Sequence, residues 1–278
     1  VKGALLRVNW NEINKVDGAR HPQSRYDQVS AAGGAGMAMN HKDVWRQVWC
    51  DLHRFVLPWR CLLCDAAGAN GIDLCADCAA ELPRNHSCCA RCALPLAAPA
   101  ALCGECQRHP PPWDAAWTPF RYGWPLDRLE SRYKFGHDLA AGRVLSTLWR
   151  REPRPLALPS LLLAVPLHHG RLRQRGYNQA LELARPLARA LQVSLRHDVL
   201  KRVRHTDAQT ELDAVHRRRN VHGAFMRREG IAVPAHVAIL DDVMTTGATL
   251  AECVRVLKWA GAKRVDVWAL ARAPSPRG

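Results

Sequence analysis

Residues 237–250 read VAILDDVMTTGATL, and few local patterns limit a chain so tightly. The run 237–240 is short, apolar and β-branched at intervals, which fits a strand buried on both faces. Asp241 and Asp242 end the apolar run, and Thr245, Thr246, Gly247, Ala248 and Thr249 make a tight loop into a helical pattern over 250–260. A strand, loop and helix in that order aim free backbone amides and the positive end of the helix dipole at whatever fills the loop, so an anion such as a terminal phosphate belongs there. The two acids would repel that anion. Carboxylates pair with sugar hydroxyls, however, and reach a divalent cation through them. Gly247 lacks a Cβ and permits a positive φ close to a ligand. The competing reading is an acidic helix cap beside a solvated threonine turn. The buried strand and the TTGAT loop together favour a phosphorylated sugar.

The chain carries 11 cysteines. Cys61, Cys64, Cys75 and Cys78 recur as Cys89, Cys92, Cys103 and Cys106, each copy reading CxxC, a spacer, then CxxC. A CxxC knuckle places two thiolates on one side of a turn, and two knuckles complete a tetrahedral metal site. Disulfides within such knuckles would be strained redox devices, so two structural zinc ions are the better account. Cysteine fills all four positions of each site, which leaves none open for water or substrate. Sequential pairing of knuckles gives two ribbons and crossed pairing an interleaved fold; the clean repeat favours the former. Cys88 could stand in for Cys89, while Cys50 and Cys253 read as buried thiols. The region 61–106 has few large apolar residues and must draw stability from metal.

The chain has 278 residues, room for one sizeable core and a smaller module. No apolar run is long enough to span a membrane, and the first residues lack the apolar core of a secretion signal, so a cytoplasmic protein is expected. Residues 1–36 have no periodicity and read as disordered, or as an artefact of the assigned start, since Met37 and Met39 follow. Val44, Trp45, Val48, Trp49, Leu52 and Phe55 repeat at three and four residues, which predicts a helix over 41–57.

DDVMTTGAT resembles the phosphoribosyl pyrophosphate (PRPP) signature of type I phosphoribosyltransferases. Joined to the tetracysteine repeat, it resembles the ComF family, in which a double zinc ribbon precedes a transferase domain. VPLHHGRLRQRGYNQA at 165–180, RHTDAQTEL at 204–212 and RRRNVHGAF at 217–225 are similar to further segments of that family. The likeness covers about 48–271. It implies an α/β fold with a mostly parallel sheet flanked by helices, divided as a ribbon module over 61–112 and a transferase domain over 113–274. It also implies that Asp241 and Asp242 hold the ribose hydroxyls and that residues 245–249 wrap the 5′-phosphate. Magnesium would accompany PRPP, and a role in DNA uptake during natural transformation would follow.

Residues 161–166 read as a buried strand and 166–170 as a loop at its carboxyl end, where open α/β sheets bind ligands. In the transferases that this chain resembles, the loop after this strand meets the pyrophosphate, so the resemblance makes Leu167, His168, His169 and Gly170 candidates for its cradle, with Arg171, Arg173 and Arg175 supplying charge. Tyr177, Asn178 and Gln179 open a helix that Pro186 should kink. Residues 122–150 should be mostly helical, and 265–270 a further strand. Residues 206–219 suit a mobile lid that excludes water; the histidines flanking it, His205 and His216, read as surface residues. No general base is legible, and neither is an acceptor. The net charge is +15, and eight thiolates with two zinc ions leave it strongly positive. Lys201, Arg202, Arg204, Arg217, Arg218, Arg219, Arg227 and Arg228 gather near the lid, and Arg84, Arg91 and Arg108 lie in the ribbon region with Trp59 and Trp113 beside it. Such a surface could follow a nucleic-acid backbone, or serve only to attract PRPP. Two functions therefore stand side by side: phosphoribosyl transfer to an unidentified acceptor, and a single-stranded DNA factor keeping the pocket as sensor or relic.

Overall fold

The apolar run at 237–240 forms the inner half of a longer strand in a parallel sheet, and the remaining elements arrange themselves around it. The structure, a computed structural model, describes residues 58–98, 100–204 and 221–274. The helix expected over 41–57, the lid over 206–219, His205, His216 and Cys50 lie outside the described residues, as does much of the two downstream family segments. In chain order the elements are α1 (Ala76–Ala80), α2 (Gly104–Arg108), β1 (Ala116–Trp117), β2 (Phe120–Arg121), α3 (Leu126–Phe135) and α4 (Leu139–Arg151). There follow β3 (Leu161–Ala164), α5 (His169–Arg175), α6 (Gln179–Leu191), β4 (Ser194–Arg196), β5 (Leu200–Arg202), β6 (Phe225–Arg227), β7 (His236–Met244), α7 (Ala248–Trp259) and β8 (Arg264–Arg272).

The main sheet runs β1-β8-β7-β3-β4, with β2 also pairing with β8. All its pairings are parallel, while β5 and β6 form a separate antiparallel pair. Because side chains alternate along a strand, each central strand feeds two cores. Leu162, Ala238, Leu240, Trp268 and Leu270 face α3, α4 and α6, whose Leu129, Leu145, Trp149 and Leu183 share their cluster. Leu161, Leu163, Ile239, Val267 and Ala269 face the other way, toward Leu250, Val254 and Leu257 of α7. Asn178 starts α6 by accepting a hydrogen bond from the Leu181 amide at 3.3 Å, and the helix continues through Pro186. Asp138 starts α4 in the same way through Ala141.

The cysteine repeat has a structural counterpart. Cys75 precedes α1 and Cys103 precedes α2 at equivalent places, so each five-residue helix carries the last cysteine of its copy. The two copies sit on opposite faces of the sheet. Cys61, Ile72, Leu74, Cys75 and Leu82 belong to the core with Trp149, whereas Cys89, Cys92, Cys103 and Cys106 belong to the core with α7. The ribbons thus straddle the β1/β2 edge, and apolar burial adds to what metal ligation supplies.

Three boundaries differ from expectation. The acids do not end their strand: β7 runs on to Met244 because the nine-residue β8 offers a ladder that far, with Asp241 opposite Ala269 and Val243 opposite Ala271. Strand β3 stops at Ala164, and α5 begins at His169, inside the stretch expected as loop. Helix α7 begins at Ala248, straight after Gly247. Among the described residues, no helix is long and apolar enough to cross a membrane.

Candidate functional site

From β3 the chain crosses to β4 on one side, and from β7 it crosses to β8 on the other, so these adjacent strands flank the topological switch point. In open α/β sheets the crevice beyond the carboxyl ends at that point is where ligands bind. The β3–α5 and β7–α7 connections meet there, and the Val165 amide donates to the Leu240 carbonyl at 2.9 Å. Two segments 75 residues apart in sequence thereby become neighbours.

Asp242 is 8% exposed and Asp241 is half-buried. Their carboxylates bind local backbone: Asp241 Oδ1 accepts from the Asp242 amide at 3.0 Å, and Asp242 Oδ1 from the Val243 amide at 2.6 Å. Lys134, in the last turn of α3, places Nζ 2.9 Å from Asp242 Oδ2 and 3.7 Å from Glu130 Oε2. Glu130 is 1% exposed. Burial pushes the Glu130 carboxyl up to about 7. Burial, with the adjacent Asp242 charge adding to it, raises Asp241 to about 7 as well. The same neighbouring acids raise Lys134 despite its burial, so the ammonium is the fixed charge of the cluster. Neither Lys134 nor Glu130 stood out in the sequence. Their i,i+4 spacing is visible there, but such pairs are common on solvated helix faces, and only the packing of α3 brings this one to the acids.

Gly247 has φ +74° and caps α7 with no side-chain hydrogen bond of its own, so the N-terminus of the helix lies directly after the carboxyl end of β7. The Thr246 hydroxyl approaches the Ala248 amide at 3.4 Å. Thr245, Thr246 and Thr249 are half-buried, and Gly247 and Ala248 buried. On the β3 side, His168 caps α5 by accepting from the Gly170 amide at 3.3 Å. His169 and Gly170 thus open α5, and Leu167 precedes them in the connection. Arg171 is half-buried and within electrostatic reach of Arg202, which also senses Asp241. Arg175 donates to Gln179 Oε1 at 3.3 Å and lies 5.8 Å from the Phe135 ring, one residue from Lys134. Arg173 is exposed.

The eight cysteines form two groups, Cys61, Cys64, Cys75, Cys78 and Cys89, Cys92, Cys103, Cys106, with ligand atoms inside each group within 4.8 Å of one another. The grouping follows the sequential pairing, and Cys88 is in neither group. A tetrahedral zinc tetrathiolate sets neighbouring sulfurs about 3.8 Å apart. Cys64 to Cys75 is 3.6 Å and Cys92 to Cys103 is 3.7 Å, so the residues fit the metal. Cys253 is buried in the sheet core, as expected.

Residues 52–107 match the double zinc ribbon domain family, and residues 178–278 the phosphoribosyl transferase domain family. Competence protein F of Haemophilus influenzae is 37% identical over 182 residues, which cover 61% of this chain and 78% of that protein. DNA utilization protein YhgH of Escherichia coli K12 is 36% identical over 218 residues, 76% of this chain and 89% of its own. Competence protein ComFC of Streptococcus pneumoniae is 27% identical over 153 residues, 55% of this chain and 66% of its own. Ribbon and transferase domain come in the same order that the sequence motifs and the fold display, and on that agreement the chain belongs to the ComF family.

Proposed function

We propose that the protein binds PRPP with magnesium in the crevice between β3 and β7, in the cytoplasm and in the service of DNA uptake. The observation that carries this reading is the meeting, at the switch point, of two acids with a helix start capped by a glycine of positive φ. Asp241 and Asp242 hold the ribose hydroxyls, and magnesium, when bound with PRPP, would supply charge to offset the pyrophosphate. Thr245, Thr246, Gly247, Ala248 and Thr249 enclose the 5′-phosphate. Leu167, His168, His169 and Gly170 cradle the pyrophosphate, with Arg171 and Arg175 supplying charge. If turnover occurs it is phosphoribosyl transfer, in which the enzyme stabilises the departing pyrophosphate and holds the nucleophile in line. The working domains are the ribbon module at 61–112 and the transferase-like domain at 113–274. Calorimetric titration of PRPP with magnesium should give heat with the native chain and none with Asp241→Ala/Asp242→Ala, whose thermal transition persists. Equal heats from the two proteins would remove the pocket assignment.

A second reading, single-stranded DNA handling with the pocket as a sensor, is supported by two exposed aromatic rings. Trp124 is 59% exposed and Phe135 66% exposed. Arg128 lies 5.8 Å from the Trp124 ring and Arg175 5.8 Å from the Phe135 ring. Exposed rings beside guanidinium groups suit stacking on unpaired bases next to a phosphate backbone. The relatives named for competence and DNA utilization agree with this reading, which is compatible with the first.

A further inference from the structure

Arg272, at the end of β8, is 8% exposed and sits in register with Met244. Its Nε donates to the Cys92 carbonyl at 3.1 Å, while Nη1 donates to the carbonyls of Met244 at 3.1 Å, Ala273 at 2.7 Å and Thr245. One guanidinium therefore joins a knuckle of the second ribbon to the start of the phosphate loop. A second tie runs beside it. Trp113 Nε1 donates to the Arg91 carbonyl at 2.6 Å, and its ring lies so close to Gly247 that a Cβ there would stand 2.7 Å from the ring edge.

In a trans peptide the carbonyl and the following amide point in opposite directions. Fixing the Met244 and Thr245 carbonyls on Arg272 therefore turns the Thr245 and Thr246 amides away from it, to the opposite side of the loop. The planar guanidinium fork holds several acceptors in set directions, which an ammonium cannot do. Four thiolates around one zinc ion carry net negative charge, and Arg272 lies within electrostatic reach of Cys92, Cys103 and Cys106. The first ribbon is fastened elsewhere: Arg132 donates to the Leu62 carbonyl, Arg151 to that of Asn70, and Arg143 pairs with Asp73 at 2.9 Å, all from α3 and α4.

We propose that Arg272 is a positioning residue for the loop 245–249, and that with Trp113 it makes the second four-cysteine site, rather than the first, the support of the phosphate-binding amides. This rests on the PRPP reading, since a loop held in its binding shape forfeits less conformational entropy when ligand arrives.

The test uses the full zinc-loaded chain and two readings, PRPP affinity with magnesium and hydrogen exchange at the Thr245, Thr246 and Gly247 amides. Arg272→Lys should retain both zinc ions, bind PRPP about tenfold more weakly and exchange those amides about tenfold faster. Arg143→Lys, at the first ribbon, should change neither reading by more than about twofold. Native affinity or native loop exchange in a folded Arg272→Lys protein overturns the proposal. Absence of PRPP heat in the native chain removes the pocket reading alone, and exchange then decides whether Arg272 orders the loop. If Arg272→Lys shows no cooperative unfolding, Trp113→Phe, which keeps a ring but drops the Nε1 donor, is judged by the same two readings.

Discussion

Lys134 makes the paired acids tolerable. Asp241, Asp242 and Glu130 crowd one partly desolvated site, and both Glu130 oxygens lack a hydrogen-bond partner among the described residues. Removing a buried partner from such a group typically costs about 3–5 kcal/mol. The cluster also sets a pH dependence. Glu130 and Asp241 are raised to about 7 from ordinary values of 4.5 and 3.8, so the folded chain keeps protons that the unfolded chain has released. Stability therefore declines as pH rises from about 4 to about 7 and levels off above that. Between pH 6 and pH 8 Glu130 alone should account for a loss on the order of 1 kcal/mol. Urea midpoints should record that loss for the native chain and a smaller one for Glu130→Gln; parallel profiles would show that Glu130 does not hold its proton. The sequence displayed the acids and the glycine because their types and order are unusual. Lys134 and Arg272 were illegible, since an exposed and a buried cation look alike until helix and strand are packed.

The ribbons show what a repeat can and cannot convey about an element. Cys75 and Cys103 occupy the same place before α1 and α2, so spacing alone yielded the four-cysteine groups in their correct pairing. Spacing says nothing of access. In the first group Cys64 is exposed and Cys78 half-buried, whereas all four cysteines of the second are buried. A chelator should accordingly remove zinc in two phases, the first ribbon losing its ion sooner. Cys64→Ser should abolish the fast phase and leave the slow one, as followed by a colorimetric zinc indicator; a single phase from the native chain would contradict the difference. The length of β7 was likewise out of reach. A pair of acids normally closes an apolar run, and only the β8 ladder carries the strand beyond them.

At the scale of the molecule, ribbons on both faces of one sheet edge give the domain boundary in the sequence a shared core in space. On the DNA reading, the net charge of +15 would supply a long-range pull on the polyanion, and the exposed rings at Trp124 and Phe135 a short-range one. These contributions separate by experiment. Single-stranded DNA binding should weaken at least about tenfold between roughly 50 and 200 mM salt if phosphate contacts dominate. Trp124→Ala should cost about 1–3 kcal/mol without changing that salt slope, because stacking releases no counterions. Flat salt dependence in filter binding or anisotropy would argue against the DNA reading.

By itself the sequence determined what is local: the order of strand, turn and helix around the paired acids, which thiols group together, and that the chain alternates toward a parallel sheet. Tertiary structure alone decided what faces the turn. Strand order brought the β3 connection beside it, α3 delivered Lys134 and Glu130, and β8 carried Arg272 between the second ribbon and the loop. The reason is range: backbone preference and knuckle spacing act over a few residues and are written in their order, whereas burial and ion pairing depend on which distant segments pack together.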